Sequence, residues 1–540
     1  MLSTMQDAPL SIAKLLRYGS TIHGHAEVIT WTESGPRRQS YAQTGRRCAQ
    51  LAHALRKLGV TGDQRVATFM WNNAEHLEAY LGIPAMGAVL HTLNIRLFPE
   101  QLVHIVNHAE DQVILVDDTL LPLLAPHLPQ FTTVRHLVVR GDQVPQADIP
   151  DGITIHSWEQ LIADEPDEFD WPEVDEHAAA ALCYTSGTTG DPKGVAYSHR
   201  SIWLHSMGVC MTDGMALRQG NMALCIVPQF HAMSWGMPYA SFMIGASLLM
   251  PGPFLQPEPL AQMIEAIKPD FAAAVPTIWQ GLLHHLESHD ADISSLKKTV
   301  IGGSAAPPSL LRDFQEKYGI TVIHAWGMTE TSPLGSVANP PAGVSEEEAW
   351  HYRYTQGRFP ACVEGRLVGD DGTVVPNDGK SIGELEVRGP WIAGSYYRVD
   401  APDKFDDGWL RTGDVGSITP DGYLTLTDRT KDIIKSGGEW ISSVDLENLV
   451  MGHPDVLEAA VIGIPDDKWD ERPLVAVVLR EGADTSFQQL QHYLADHVAK
   501  WQLPESWARA SEIPKTSVGK FDKKRLRAEF ADGGLAVERI

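Results

Sequence analysis

From about residue 40 to 330 the chain alternates short aliphatic and β-branched runs with longer stretches of helical periodicity. That alternation restricts the fold to α/β layers around mostly parallel sheets. Candidate strands fall at 65–70, 112–116, 134–139, 223–227 and 300–301. Between them, Cys48, Leu51, Ala52, Leu55 and Leu58 recur at helical spacing over 44–58, and Gly59 follows as a left-handed cap. From 365 to 422 the texture changes to short alternating runs punctuated by Asp371-Gly372, Asp378-Gly379 and Asp421-Gly422, the turn chemistry of antiparallel hairpins. The last hundred or so residues change again. Strands are expected at 459–464 and 474–479, and Ser486 with Gln489 forms a capping box opening a helix whose face carries Phe487, Leu490, Leu494, Val498 and Trp501. The reading is α/β: a large N-terminal domain of layered, mostly parallel sheets with a β-rich subdomain, then a small α+β C-terminal domain entered through 428–432.

A chain of 540 residues is long enough for two or more such domains. Its formal charge of -26 argues against a general nucleic-acid or anionic-membrane surface, so any phosphate must be handled locally. The five cysteines are odd in number and include no Cys-x-x-Cys pair, which points away from a disulfide framework or zinc site and towards a reducing cytoplasm. Residues 1–10 lack the basic-then-apolar pattern of a secretory leader. The most apolar stretch, 237–255, is broken by Pro238, Pro251 and Pro253 and reads as buried core rather than a membrane span.

Local phosphate handling has a candidate. After the apolar run 178–183 come Tyr184, Thr185, Ser186, Gly187, Thr188, Thr189, Gly190, Asp191, Pro192, Lys193 and Gly194. Small residues leave backbone N–H groups uncovered, hydroxyls add donors and Lys193 adds a positive charge, so the loop can wrap a polyphosphate. The Walker pattern is excluded, because Gly187 and Gly190 are two residues apart and Lys193 precedes Gly194. A plain Gly/Ser/Thr linker is the alternative. The position after a strand-like run and before a helical pattern favours a binding loop.

These eleven residues resemble the phosphate-loop signature of the adenylate-forming superfamily, which comprises acyl-CoA synthetases, luciferases and peptide-synthetase adenylation domains. The resemblance extends from about residue 12 to 527. It implies that residues 302–307 (Gly302, Gly303, Ser304 and onward) lie along an adenine, and that Ala325, Trp326 and Gly327 continue that wall, with Trp326 against the base. It further implies that Thr329 meets the α-phosphate, Thr185 and Glu330 hold Mg2+, and Asp414, helped by Arg429, takes the ribose hydroxyls. Lys193 and Lys520 are implied as catalytic cations. Lys431 is the implied hinge, dividing the chain into 1–430, with the β-rich subdomain at about 360–425, and a mobile 431–540. Lys435, Gly437, Gly438 and Trp440 are implied to border CoA. Lys523, Lys524, Arg525 and Arg527 either attract the CoA 3′-phosphate or form a solvated helix face.

For the acid, His231 resembles the residue abutting the reacting carboxylate, and Trp235 the aromatic gate of fatty-acid ligases, with Gly302 and Trp326 completing the acyl site. The resemblance is closest to medium- and long-chain fatty-acid–CoA ligases, and methylmercaptopropionate–CoA ligases look nearly the same. Two departures touch this region: Asn94-Ile-Arg-Leu97 replaces the usual Asn-Pro-Arg-Leu, and 229–235 reads Gln-Phe-His-Ala-Met-Ser-Trp. ATP, CoA and Mg2+, a homodimer and small-molecule substrates follow from the resemblance. Transfer to a carrier-protein thiol and an adenylate-binding pseudoenzyme are the rivals. The pseudoenzyme would be expected to lack Lys520, Glu330 or Asp414, and all three are present.

Overall fold

The structure is a computed structural model that describes residues 1–141, 147–185, 191–369, 371–436, 439–466, 468–516 and 520–540. Among these residues the strands form three sheets. The 7-stranded sheet contains Arg65–Phe69, Val89–Thr92, Val113–Asp117, His136–Arg140, Thr154–Ser157 and Ala179–Tyr184, all parallel, and ends in Gly194–Ser198, antiparallel to Ala179–Tyr184. The two strands that flank the candidate phosphate loop are therefore an antiparallel pair at the sheet's edge. The expected helix at 44–58 spans Tyr41–Lys57, three residues earlier because Ser40 and Gln43 close a capping box.

The 15-stranded sheet joins two textures. Its parallel half contains Glu27–Thr32, Ser247–Met250, Met222–Cys225, Phe271–Ala274, Lys298–Ile301 and Thr321–Gly327. In these strands alternate residues serve opposite cores: Ala223 and Cys225 face one, Leu224 the other. This two-sided burial is why they read as continuous apolar runs. Thr321–Gly327 then pairs antiparallel with Leu334–Val337, and the sheet continues through Gly357–Arg358 into Tyr423–Arg429, Trp409–Ile418, Gly383–Arg388 and Glu364–Val368. The expected β-rich region exists, but its strands extend the second sheet instead of forming a separate one. Asp421-Gly422 makes the hairpin turn predicted for it, with Gly422 at φ 88°. Asp378-Gly379 does not connect paired strands; Gly379 instead donates its N–H to the Ile418 carbonyl.

The 6-stranded sheet lies wholly within the C-terminal part, with Val456–Asp466 against Asp470–Leu479 at its centre. The capping box at Ser486 and Gln489 forms as expected, but the helix Phe487–Ala495 stops before Trp501. Asp496 and His497 are weak helix formers, and Trp501 emerges largely exposed on a separate short turn. Residues 237–255 are core, as expected, with the helix Met237–Ile244 and the strand Ser247–Met250. No helix is long and apolar enough to cross a membrane among the described residues.

Candidate active site

Several strands end at one cleft. The C-terminal ends of Ala179–Tyr184, Lys298–Ile301 and Thr321–Gly327 deliver Thr185, Gly302 with Gly303, and residues 326–330 to a cavity of about 310 Å3. The chain leaving Met222–Cys225 brings His231 and Trp235 to it. Ligands of open α/β sheets bind at such strand ends. Lys193, Arg429, Lys431 and Lys520 complete the walls. A contiguous cavity of about 250 Å3 shares Gly303, Ala325, Trp326, Gly327, Arg429, Lys431 and Lys520, and adds Ser304 and Asp414.

The polar side of the cleft is tightly bonded. Asp414 and Arg429 are direct cross-strand neighbours, which places the Arg429 Nε 3.2 Å from Asp414 Oδ1. Trp326 Nε1 donates to Asp414 Oδ2 at 2.8 Å, so both carboxylate oxygens are engaged. The ring of Trp326 can lie here only because position 335 is glycine: a Cβ on Gly335 would sit 2.2 Å from Trp326 Cζ3. Glu330 is buried and accepts from the Tyr396 hydroxyl at 2.6 Å. The Thr329 carbonyl accepts from Tyr197 at 2.6 Å. At the loop's base, Lys193 N donates to Thr185 Oγ1 at 3.1 Å, and Thr185 N to the Lys193 carbonyl at 3.0 Å.

Charge is distributed unevenly. Burial, reinforced by the positive charges of Lys520 and Arg96, pushes His231 down to about 3, so its imidazole is neutral at ordinary pH. Lys520 is pushed down to about 8 by burial and by Arg429, against the pull of Asp414 and Glu330. It is therefore mostly an ammonium at neutral pH and close to losing that charge. Its ammonium makes no hydrogen bond or ion pair among the described residues; its backbone N–H donates to Thr516 Oγ1 at 3.2 Å.

The other end of the cleft is apolar and conformationally unusual. Ala232, Met233, Ser234 and Trp235 have φ of 41°, 55°, 51° and 55°, and Gly236 has 74°, making one left-handed turn. L-residues avoid this region because Cβ approaches the following carbonyl. Ser234 braces it by donating from Oγ to the Val227 carbonyl at 2.7 Å. The turn sets the Trp235 ring against the two glycines: a Cβ on Gly302 would lie 3.4 Å from Cη2 and one on Gly303 3.6 Å from Cζ2. Met215, Ala232 and Leu334 also line the cavity.

The structure thus gathers Thr185, Lys193, His231, Trp235, Gly302, Gly303, Ser304, Ala325, Trp326, Gly327, Thr329, Glu330, Asp414, Arg429, Lys431 and Lys520 around the two joined cavities. It does not bring Lys435 and Trp440 there. They are cross-strand partners lining a different cavity of about 280 Å3, beside Glu384, Glu386 and Arg411. Ser186, Gly187, Thr188, Thr189, Gly190, Gly437 and Gly438 lie outside the described residues. Of the basic C-terminal residues, Lys523 is neither solvated nor free for a phosphate: its Nζ is 2.8 Å from Glu447 Oε1 and 2.6 Å from Ser443 Oγ, and mostly buried. Arg527 pairs with Asp432 at 2.7 Å and Arg525 with Glu529 at 3.0 Å. Tyr396, Met215 and Gly335 also belong to the site, and no motif or periodic spacing in the sequence marks them.

The donor set fits a magnesium ion bound together with a substrate phosphate. No group of three or more His, Cys, Asp or Glu side chains capable of holding a metal occurs among the described residues. Mg2+ usually takes one or two protein carboxylates and completes its shell with phosphate and water. Glu330 offers one such carboxylate, whose second oxygen accepts no hydrogen bond among the described residues.

A family model described as AMP-binding enzyme matches residues 20–397, and one described as AMP-binding enzyme C-terminal domain matches residues 445–520. The chain belongs to this family of AMP-binding enzymes. It is 44% identical over 538 residues to the 3-methylmercaptopropionyl-CoA ligase of Ruegeria lacuscaerulensis, covering 98% of this chain and 99% of the relative. It is 43% identical over 542 residues to the medium-chain-fatty-acid–CoA ligase of Ectopseudomonas oleovorans, covering 98% of each. Among solved structures, the anthranilate CoA ligase AuaEII in complex with anthranoyl-AMP superposes with a TM-score of 0.88 at 26% identity, over 98% of this chain and 100% of that one.

Proposed function

We propose that the protein is an AMP-forming acid–CoA ligase acting on an aliphatic carboxylic acid. The observation that carries this reading is the meeting of Lys520, from the C-terminal part, with Lys193, Trp326, Glu330 and His231 in one cleft whose far end is apolar. Adenylation sets a carboxylate against the α-phosphate of ATP, two anions, and so requires fixed positive charge where they meet. Lys520 supplies it, its ammonium making no hydrogen bond or ion pair among the described residues. Neutral His231 adds no charge and can orient the carboxylate through a ring N–H. Asp414, already braced by Trp326 and Arg429, is suited to accept from ribose hydroxyls. Glu330 and the Thr185 hydroxyl would hold Mg2+, which on binding supplies charge neutralisation for the polyphosphate.

The second half-reaction is thiol attack of CoA on the acyl-adenylate. We assign it to a rotated arrangement of the C-terminal part about Lys431, with 1–430 and 431–540 as the two bodies. The placement of Lys435 and Trp440 in a cavity away from the cleft supports this division, because residues assigned to CoA would have to be carried in.

For the acid, a medium- or long-chain fatty acid is the reading drawn from the gate position of Trp235. A short acid such as methylmercaptopropionate is the second, favoured by the buried Trp235 ring on the cavity wall and by the 44% relative. The deciding experiment is a panel of acids from propionate and methylmercaptopropionate to palmitate. Pyrophosphate release is read with ATP and Mg2+, then thioester formation with CoA or a phosphopantetheinylated carrier protein. Acid-dependent pyrophosphate release followed by CoA thioester supports the reading. Thioester on the carrier alone moves the assignment to carrier loading, and no pyrophosphate with any acid removes the ligase assignment.

A further inference from the structure

Lys193 and Glu330 carry opposite charges and line the same cleft, yet they do not form an ion pair; one side chain touches both. The hydroxyl of Tyr396 donates to Glu330 Oε1 at 2.6 Å, and the Lys193 ammonium lies over the Tyr396 ring, 5.0 Å from its centroid. The tyrosine is itself pinned. Its ring meets Phe405 edge to face at 5.3 Å, and it forms a tight bridge with Val399 around Arg398, whose backbone is left-handed at φ 52°. Its neighbours hold the same two elements through the backbone. Ala393 N donates to the Glu330 carbonyl at 2.8 Å, and Tyr397 N donates to the carbonyl of Gly194, next to Lys193, also at 2.8 Å. Segment 393–399 is therefore a strap between the strand following the phosphate loop and the turn bearing Glu330.

We propose that Tyr396 is a positioning residue that keeps Lys193 and Glu330 apart and each correctly presented. The inference rests on the assignment of Glu330 to the magnesium carboxylate and of Lys193 to the polyphosphate. A flexible ammonium and a carboxylate in a partly desolvated cleft would otherwise neutralise each other before nucleotide arrives. The aromatic face offers the ammonium a weaker resting place that a phosphate can outcompete. The phenolic O–H fixes one carboxylate oxygen and leaves the other for the cation.

Two substitutions separate these tasks. Tyr396→Phe keeps the ring and removes the hydroxyl; Tyr396→Leu removes both. ATP binding to the full chain is measured calorimetrically at a series of free Mg2+ concentrations. Tyr396→Phe is expected to raise the Mg2+ needed for half-maximal ATP binding about ten- to 100-fold, the scale of one hydrogen bond to a charged group, with ATP affinity at saturating Mg2+ nearly unchanged. Tyr396→Leu is expected to lose about a further tenfold in ATP affinity even at saturating Mg2+, because Lys193 then collapses onto Glu330. In a Glu330→Gln background, Tyr396→Phe should add nothing. If Glu330→Gln raises the Mg2+ requirement and Tyr396→Phe does not, the positioning role falls while the Glu330 assignment stands. If Glu330→Gln leaves the requirement unchanged, the assignment itself falls, and the inference with it.

Discussion

At the end of the cleft assigned to the nucleotide, side chains are held by other side chains: Trp326 and Arg429 occupy both oxygens of Asp414, and Tyr396 holds Glu330. At the end assigned to the acid, hydrogen bonds run to the backbone instead: Ser234 Oγ and Asn72 Nδ2 both donate to the Val227 carbonyl. Trp235 is aimed by four consecutive left-handed residues and rests on Gly302 and Gly303. One end is held through charge and bonds between side chains, the other through an unusual backbone conformation that the Ser234 hydrogen bond braces. Chemistry common to many acids can therefore stay fixed while the surface that meets the acid changes. Lys520 belongs to neither scheme. Three residues later Lys523 is buried against Glu447 and Ser443, whereas the Lys520 ammonium has no such partner among the described residues.

The strongest way to sharpen this contrast is Lys520→Ala. Adenylation, read as acid-dependent pyrophosphate release, is expected to fall about 100- to 1,000-fold, while conversion of supplied acyl-adenylate to thioester stays near wild type. Equal loss in both steps would dissolve the separation of half-reactions. The same lysine predicts a pH limb. Its proton is lost as pH rises through about 8, so adenylation should decline towards tenfold per unit above that pH. Below it the ammonium is intact and its burial cost fully present. Between about 8 and the usual lysine value the unfolded chain binds the extra proton, so the Lys520 contribution to stability improves as catalysis declines. A limb that persists in Lys520→Ala would belong to another group.

At the acyl end, Trp235→Ala should shift the ratio of kcat/KM between long and short acids about tenfold towards the longer, leaving the KM for ATP unchanged. A parallel change in ATP KM would break the independence of the two ends. The smallest effect is expected from Gly335→Ala. Its Cβ displaces the Trp326 ring and loosens Asp414, raising the KM for ATP several-fold with acid preference unaltered.

Much of this was legible in the sequence. The αβ alternation predicts the parallel strands, and the Ser486 capping box predicts its helix start; the apolar periodicity over 44–58 misses the first turn, which the Ser40 capping box sets at Tyr41. The gathering of Trp326 with Asp414, 88 residues apart, was legible only through family resemblance, since no local pattern encodes it. The continuity of the second sheet escaped because it depends on the two-residue strand Gly357–Arg358, too short to show periodicity. Tyr396 escaped because its role comes from two partners distant in sequence. The left-handed turn escaped because Ala, Met, Ser and Trp have no preference for positive φ, and Gly236 alone hinted at it.

That turn has a mechanical corollary. Each left-handed non-glycine residue costs about 1 kcal/mol or more, so the five-residue segment sits on a conformational slope that its surroundings must hold. A glycine at Ser234 would relax the backbone but release the Val227 carbonyl, trading rigidity for latitude in the acid accepted. The segment is thus a spring whose stiffness a few side chains set, separate from the hydrogen bonds that hold Asp414 and Glu330.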